Sequence, residues 1–295
     1  MNSDSRTRTQ ARTGPSALVA AYPATTFVVV AFATQSFIVA TQYFQIRNHG
    51  LSALRVFTPA LAALAVAYLA QGKSAAAHLL SSLFNVRVPL KYWLFALVYP
   101  SFVAVLALLC LRAVGAVNDI HFDFAEAAGL RFLSLTAQIA ASEEIAWVGF
   151  LLAVFSARYR LFQACLLVGL FWGLWYVPLV IADIQVAPGL PIVPLILNFM
   201  TIAAICGWLY VRTRSAAVVF VMQATTNYTS QIIPVLPLRG GLAQYVAFVL
   251  MKCLFGLALF AFWGPKPMFG RVPSRDDGSR DSGSTDALPT ETPAR

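Results

Sequence analysis

The sequence has 295 residues, of which 59% are apolar and 11% are charged, and its formal net charge is +9. A soluble domain of this size does not need so much apolar surface, so the composition places the chain among membrane proteins. The positive charge does not indicate nucleic-acid binding, because the basic residues lie at the ends of apolar segments and in the termini, where they act as topology signals. Membrane lipid is therefore an expected partner, and nucleic acid is not.

Apolar segments predict an all-α, polytopic bundle of about eight transmembrane helices, because a spanning helix needs about 20 residues. In chain order the predicted spans are 22–40, 56–71, 92–111, 132–157, 161–182, 191–211, 215–238 and 241–264. Between the second and third spans, residues 72–91 have the pattern of an amphipathic interfacial helix, with a simple loop as the alternative.

The same patterns divide the chain into regions. Residues 1–20 form a basic N-terminal segment, 21–129 the N-terminal transmembrane helices, 130–240 the core, 241–264 the last helix, and 265–295 a disordered tail. If the N-terminus is cytoplasmic, 15 basic residues fall on the inner side and five on the outer side. This bias predicts an integral protein of a prokaryotic plasma membrane with both termini in the cytoplasm.

Two adjacent carboxylates, Glu143 and Glu144, lie inside the fourth predicted span. A charged side chain at the bilayer centre costs roughly 2.5–3.5 kcal/mol on insertion scales, so such a residue marks a functional site with a partner nearby. A purely structural pairing with Lys252, or with amide side chains of other spans, is the alternative. Lys252 itself is expected to find a partner inside the membrane.

Polar side chains in other spans share helix faces. Gln223 and Asn227 are one helical turn apart, as are Trp172 and Tyr176, and their faces are predicted to meet Glu143 in a polar cavity. Interhelical hydrogen bonding for the amides, and ordinary packing for the aromatic pair, are the alternatives. Gly169 and Gly173 predict a close approach by a neighbouring helix, because small residues at this spacing let two backbones come together.

At three segments the sequence resembles the CPBP family, the CAAX protease and bacteriocin-processing membrane proteins also called Abi, which includes the type II CAAX prenyl endopeptidases. The resemblance covers about residues 130–235 with the order and spacing of the family motifs intact. The segments that carry it are Glu143-Glu144-Ile145-Ala146-Trp147-Val148-Gly149, Trp172-Gly173-Leu174-Trp175-Tyr176-Val177-Pro178, and Gln223-Ala224-Thr225-Thr226-Asn227 after Thr213-Arg214-Ser215.

The departures from the family pattern fall on chemical groups. Val148 stands where the family has Arg, Tyr176 where it has a first His, and Gln223 where it has a second. The resemblance implies that the first Glu and first His activate a water, and that the second His and the Asn stabilise the oxyanion. Of that set this chain keeps Glu143 and Asn227, and its histidines fall in predicted loops or interfacial segments.

The resemblance implies an intramembrane endopeptidase for CAAX-type or other membrane-associated peptides, with a hydrophobic or lipidated peptide as its partner. In that reading Glu143 is the base, Glu144 accompanies it, and Tyr176, Gln223 and Asn227 donate hydrogen bonds. A catalytically silent scaffold, or an immunity or maturation partner that binds such peptides, is the main alternative. An ion-coupled transporter ranks last. No cofactor is predicted, and a divalent metal is implied only by family analogy.

Overall fold

A computed structural model describes residues 15–44, 54–124, 129–184 and 186–272. The described chain is built from helices, and its β-structure is limited to an isolated bridge between Tyr159 and Arg271. Many large apolar side chains, such as Phe37, Leu97 and Leu254, are at least half exposed on the outside of the bundle. An apolar outer surface of this kind is suited to lipid and confirms the all-α membrane class.

The chain begins with α1 (Pro15–Ala21) and the long α2 (Pro23–Tyr43). The helices that follow are α3 (Thr58–Gln71), α4 (Lys73–Ser81) with a 3₁₀ turn at Ser82–Phe84, α5 (Leu90–Ala113), α6 (Leu130–Glu143), a π-helical segment (Glu144–Leu151), α7 (Leu152–Ser156), α8 (Leu161–Ala182), α9 (Ile192–Thr213), α10 (Ala216–Ile232), α11 (Pro237–Gly240) and α12 (Leu242–Trp263).

Each of the eight predicted spans coincides with a helix in the described residues, but the helices differ in length. Six are long and apolar enough to cross a membrane, and the fourth of the predicted spans is among them as the continuous stretch Thr136–Ser156. The second and seventh predicted spans correspond to α3, with 14 residues, and α10, with 17. Both end earlier than a full span requires, α3 at Gly72 with its positive φ of 91° and α10 at the extended Ile233.

The closest helix packing is between α8 and α9, and it confirms the predicted role of the two glycines. A Cβ added at Gly169 would lie 2.2 Å from the Cα of Met200, and one at Gly173 would lie 2.9 Å from the Cα of Ile196. Any side chain at these two positions would meet backbone, so only glycine allows α9 to lie this close to α8.

The α6–π–α7 stretch lies at the centre of the bundle. Every residue from Glu144 to Leu151 is buried, and Trp147 contacts Phe27 of α2 edge-on at 5.3 Å and stacks on Trp172 of α8 at 5.9 Å between ring centroids. The carboxylates therefore lie on the element that the other helices surround.

Within the predicted interfacial segment 72–91, α4 and the 3₁₀ turn form the helical part, residues 85–89 are not helical, and no residue of α4 is buried. The predicted disordered tail begins with an ordered stretch: Val272 and Gly270 share backbone hydrogen bonds with Arg158 and Arg160, and Phe269 contacts Phe162. The predicted N-terminal segment up to residue 14 and the tail beyond residue 272 lie outside the described residues, and the domain boundaries stay predictions.

Candidate functional site

Glu143 is held by two side chains from two other helices. The hydroxyl of Tyr176 on α8 donates to Glu143 Oε1 at 2.6 Å, and Nε2 of Gln223 on α10 donates to Glu143 Oε2. Each carboxylate oxygen thus accepts a hydrogen bond from a neutral donor. The sequence predicted that these three residues meet, and the structure brings them together.

The local fold explains how the three side chains converge. Glu143 is the last α-helical residue before the π-helical segment, whose wider turn lets the amide of Leu152 reach the carbonyl of Trp147. Short π-helical stretches inside α-helices occur often at functional sites because they re-aim side chains without ending the helix. Ser215 caps the first turn of α10 by accepting from the amide of Val218, which fixes the start of the helix that carries Gln223.

The aromatic wall of the site positions Tyr176. Its ring stacks on Phe199 of α9 at 4.6 Å, and Trp172, one turn earlier on α8, contacts the same Phe199 ring at 5.1 Å. Trp172 and Tyr176 therefore share a face, as predicted, and that face lines the cavity. Packing and hydrogen bonding are combined here, because Tyr176 carries both the stacked ring and the donor to Glu143.

A cavity of about 530 Å³ lies beside this cluster. The inner part of the cavity is polar and lies at the centre of the bundle. From there the cavity extends to the end of the bundle where the loop 186–190, Leu236, Leu238 and Arg239 lie. Arg239 pairs with Asp123 at 3.1 Å near this end. The polar residues that line the cavity are Thr136, Glu143, Tyr176, Asn198, Gln223, Thr226, Asn227, Ser230, Gln231, Arg239, Tyr245 and Lys252.

The two adjacent glutamates have different environments. Glu143 lines the cavity, whereas Glu144 is fully buried away from it, and neither oxygen of Glu144 has a hydrogen-bond partner among the described residues. Consecutive residues of a helix point in different directions, so one glutamate of the pair faces the cavity and the other does not. Glu144, which was expected to accompany Glu143 in the site, does not line the cavity.

Asn227 lines the cavity one turn beyond Gln223 on α10. Its side-chain amide makes no hydrogen bond within the described part of the chain, so its two N–H donors face the cavity unused. Val148, at the position where the family pattern has Arg, is 2% exposed and belongs to the apolar core, and it does not line the cavity.

Sequence reasoning missed one charged residue near the site. Arg55 was counted as an outer loop charge, but it is only 5% exposed, its guanidinium lies 5.9 Å from the centre of the Trp175 ring, and it lies within electrostatic range of Glu143. Trp175 is itself fixed to α2, since its indole N–H donates to the carbonyl of Ala31 at 3.1 Å. A lone Arg between two apolar segments carries no pattern that distinguishes such a residue from a topology signal.

The residues at the site do not fit a tightly bound transition metal. One carboxylate, two phenols, four amides and two cationic side chains line the cavity without an imidazole, and the described residues contain no group of three His, Cys, Asp or Glu side chains that could hold a metal ion. His78 lies on α4 and His121 lies in the segment before α6, whereas His49 is outside the described residues. The arrangement instead provides one acceptor and several neutral donors, a set suited to polar groups of a peptide.

Comparisons with known proteins agree with the resemblance. The family model described as type II CAAX prenyl endopeptidase Rce1-like matches residues 126–229. The protein CAAX prenyl protease 2 of Methanococcus maripaludis is 30% identical over 90 residues, which are 30% of this chain and 33% of that protein. The matched stretch is thus about a third of the relative's length. The family match contains Glu143, Tyr176, Gln223 and Asn227 in their expected order, so this part of the chain is similar to the type II CAAX prenyl endopeptidases.

Proposed function

We propose that this chain binds a hydrophobic or lipidated peptide in the cavity beside Glu143, and that it has little or no peptidase activity. The observation that carries the proposal is the state of Glu143: both of its oxygens accept hydrogen bonds from Tyr176 and Gln223, the residues at the two positions where the family pattern has histidine. A cavity lies beside the carboxylate, and a phenol and an amide stand at the two positions where the family pattern has proton-transfer groups.

The chemistry of the replacements supports binding over hydrolysis. An imidazole exchanges protons near neutral pH and can pass a proton from water to a leaving amine, whereas a phenol and an amide at these positions donate hydrogen bonds without titrating there. A positioned acid–base group contributes typically 10²–10⁴-fold to a rate. Glu143 without either imidazole is therefore expected to hydrolyse a peptide slowly if at all.

The shape and lining of the cavity favour an extended, largely apolar ligand. Apolar side chains such as Leu195, Phe199 and Ile202 form one wall, and the free amide of Asn227 lies on another. A small number of polar groups in an apolar cleft is the usual composition of a site that fixes the orientation of a ligand. A peptide segment already at the membrane offers both the apolar side chains and the amide groups that such a cleft takes.

A second candidate function is an endopeptidase that works with Glu143 as the base. The free N–H donors of Asn227 favour it, because they lie in the same cavity as Glu143 and are suited to an oxyanion. Both candidates need the same bound peptide, and they differ in whether a bond is broken.

One experiment separates the two. The purified protein in nanodiscs is given prenylated and unprenylated fluorescent peptides, and binding by anisotropy and cleavage by mass spectrometry are both measured. We expect binding without cleavage in the natural sequence, and measurable cleavage in the double variant Tyr176→His, Gln223→His. Glu143→Gln on that background should remove the gained activity. Turnover by the natural sequence that Glu143→Gln abolishes would replace this proposal with the working endopeptidase, and absence of binding would refute both.

We further propose that the protein lies in a prokaryotic plasma membrane with both termini in the cytoplasm. In this orientation the cytoplasmic side has 15 basic residues and the outer side has five. The cavity then extends to the outer end of the bundle, where residues 186–190 lie. A cysteine placed at Ala187 in a Cys110→Ser background should react with an impermeant maleimide in intact cells, and one at Thr213 should react only after permeabilisation. The reverse pattern would refute this orientation.

A further inference from the structure

The cavity contains a buried cation. Lys252 lies in the middle of α12 with 2% of its surface exposed, and its ammonium donates to Oδ1 of Asn198 on α9. The ammonium also lies 4.7 Å from the centre of the Phe248 ring, one turn earlier on α12. All three residues line the same cavity as Glu143.

Lys252 has no anionic partner among the described residues. Among the described residues, the ion pair is formed by Arg239 and Asp123. Glu143 is hydrogen-bonded to Tyr176 and Gln223 and not to Lys252. A neutral amide oxygen and an aromatic face satisfy part of what an ammonium with three donors requires. A buried charge is costly unless it is paired, so the cavity leaves room for a counter-charge that the protein does not supply.

The position of Lys252 excludes the ordinary explanation for a lysine in a membrane helix. At 1.5 Å per residue it lies about 15 Å along the helix from Leu242 and about 16.5 Å from Trp263, too far from either end for its side chain to extend to the membrane surface. Among the cavity residues of α12, which are Tyr245, Phe248 and Lys252, it is the one farthest from the end where the loop 186–190 lies. The cation therefore lies at the deep end of the cavity.

We propose that Lys252, positioned by Asn198, binds the C-terminal carboxylate of a peptide that enters the cavity end-first; this inference is built on the proposed peptide binding. A single ammonium matches a single carboxylate, whereas a phosphate is usually held by Arg forks or by several donors. Because Lys252 lies at the deep end of the cavity, the anionic group that reaches it should be at the end of the peptide. An internal Asp or Glu would require the peptide backbone on both of its sides to fit into the deep end as well. The Phe248 ring beside the ammonium, and Ile202 in the lining of the same cavity, suit an apolar C-terminal side chain.

The test compares an N-terminally labelled hexapeptide of Leu and Ala with its C-terminal amide, measured by anisotropy with the full chain in nanodiscs. We expect the carboxylate peptide to bind at least about 10-fold more tightly than the amide, because a hydrogen bond to a charged group is lost with the amide. Lys252→Met should abolish this preference and leave the affinity for the amide unchanged.

A second variant protects the test against misfolding. Asn198→Asp gives Lys252 an internal carboxylate partner, so it should also abolish the preference while the protein keeps or raises its unfolding temperature.

A preference that survives in both variants would overturn the proposal. Equal binding of the two peptides by the natural sequence would overturn it while peptide binding stands, and absence of binding by either peptide would overturn it together with the proposed function.

Discussion

Replacement of Gly169 by Ala should disturb the site from a distance. The added Cβ would lie 2.2 Å from the Cα of Met200 and 2.6 Å from the carbonyl oxygen of Phe199. To reach an ordinary contact of 3.4 Å, α8 and α9 must separate by about 1.2 Å, the difference between 3.4 Å and 2.2 Å. Because the obstacle is backbone on both sides, no change of rotamer relieves it.

The loss of stability caused by the clash at Gly169 can be isolated with a control substitution at another helical glycine. Gly256→Ala on α12 places its Cβ 3.3 Å from a methyl group of Thr201, which a small side-chain adjustment accommodates. Both substitutions gain about 1 kcal/mol of helix propensity. Overpacking costs typically about 1–3 kcal/mol, so Gly169→Ala should be less stable than Gly256→Ala by about that amount. Unfolding in mixed micelles with increasing SDS measures the difference.

The same separation should weaken peptide binding. Phe199, beside the obstructed position, stacks on Tyr176 at 4.6 Å, and Tyr176 holds Glu143. A shift of 1 Å in such a cluster misplaces the groups that contact a ligand. Equal stability and equal peptide affinity in Gly169→Ala and Gly256→Ala would refute the conclusion that the close contact of α8 and α9 positions the site.

Three further substitutions have definite expected outcomes. Tyr176→Phe keeps the stacked ring but removes the donor to Glu143 Oε1, and should cost about 1–3 kcal/mol in the same SDS titration; no loss would show that this hydrogen bond is not formed. Arg55→Lys should lower stability by about 1–2 kcal/mol, because an ammonium cannot reproduce the contact of the guanidinium with the Trp175 ring, and a variant as stable as the parent would contradict this. Ser215→Ala should cost about 0.5–2 kcal/mol through the lost cap of α10, with Ser215→Asp as the control that keeps an acceptor.

The sequence predicted the helices whose limits follow from the length of an apolar segment. The spans 161–182 and 241–264 agree with α8 and α12 to within a residue at each end, because long apolar segments between polar boundaries leave little freedom. The meeting of Tyr176 and Gln223 at Glu143 also followed from helix faces, since Tyr176 shares a face with Trp172 and Gln223 shares one with Asn227.

Other features depend on tertiary contacts that no local pattern reveals. A π-helical segment begins directly after Glu143, yet nothing in the local sequence distinguishes it from an α-helix. Lys252 was expected to find an intramembrane partner and does so, but its partner Asn198 depends on how α9 packs against α12. The length of α10 was overestimated because residues 233–236 are apolar, although their backbone is extended.

Two of the charged side chains that line the cavity, Glu143 and Lys252, do not form an ion pair with each other, although pairing them would be the simpler arrangement. A direct ion pair between Glu143 and Lys252 would offset much of the cost of burying both. Instead each is bonded to neutral groups, Glu143 to a phenol and an amide, and Lys252 to an amide. Neutral partners hold a charged group in place without cancelling its charge. Neutral partners for Glu143 and Lys252 would have no advantage if these side chains served only to pack the helices together. In a cavity that orients the polar end of a peptide, they leave an acceptor at one wall and a cation at the deep end.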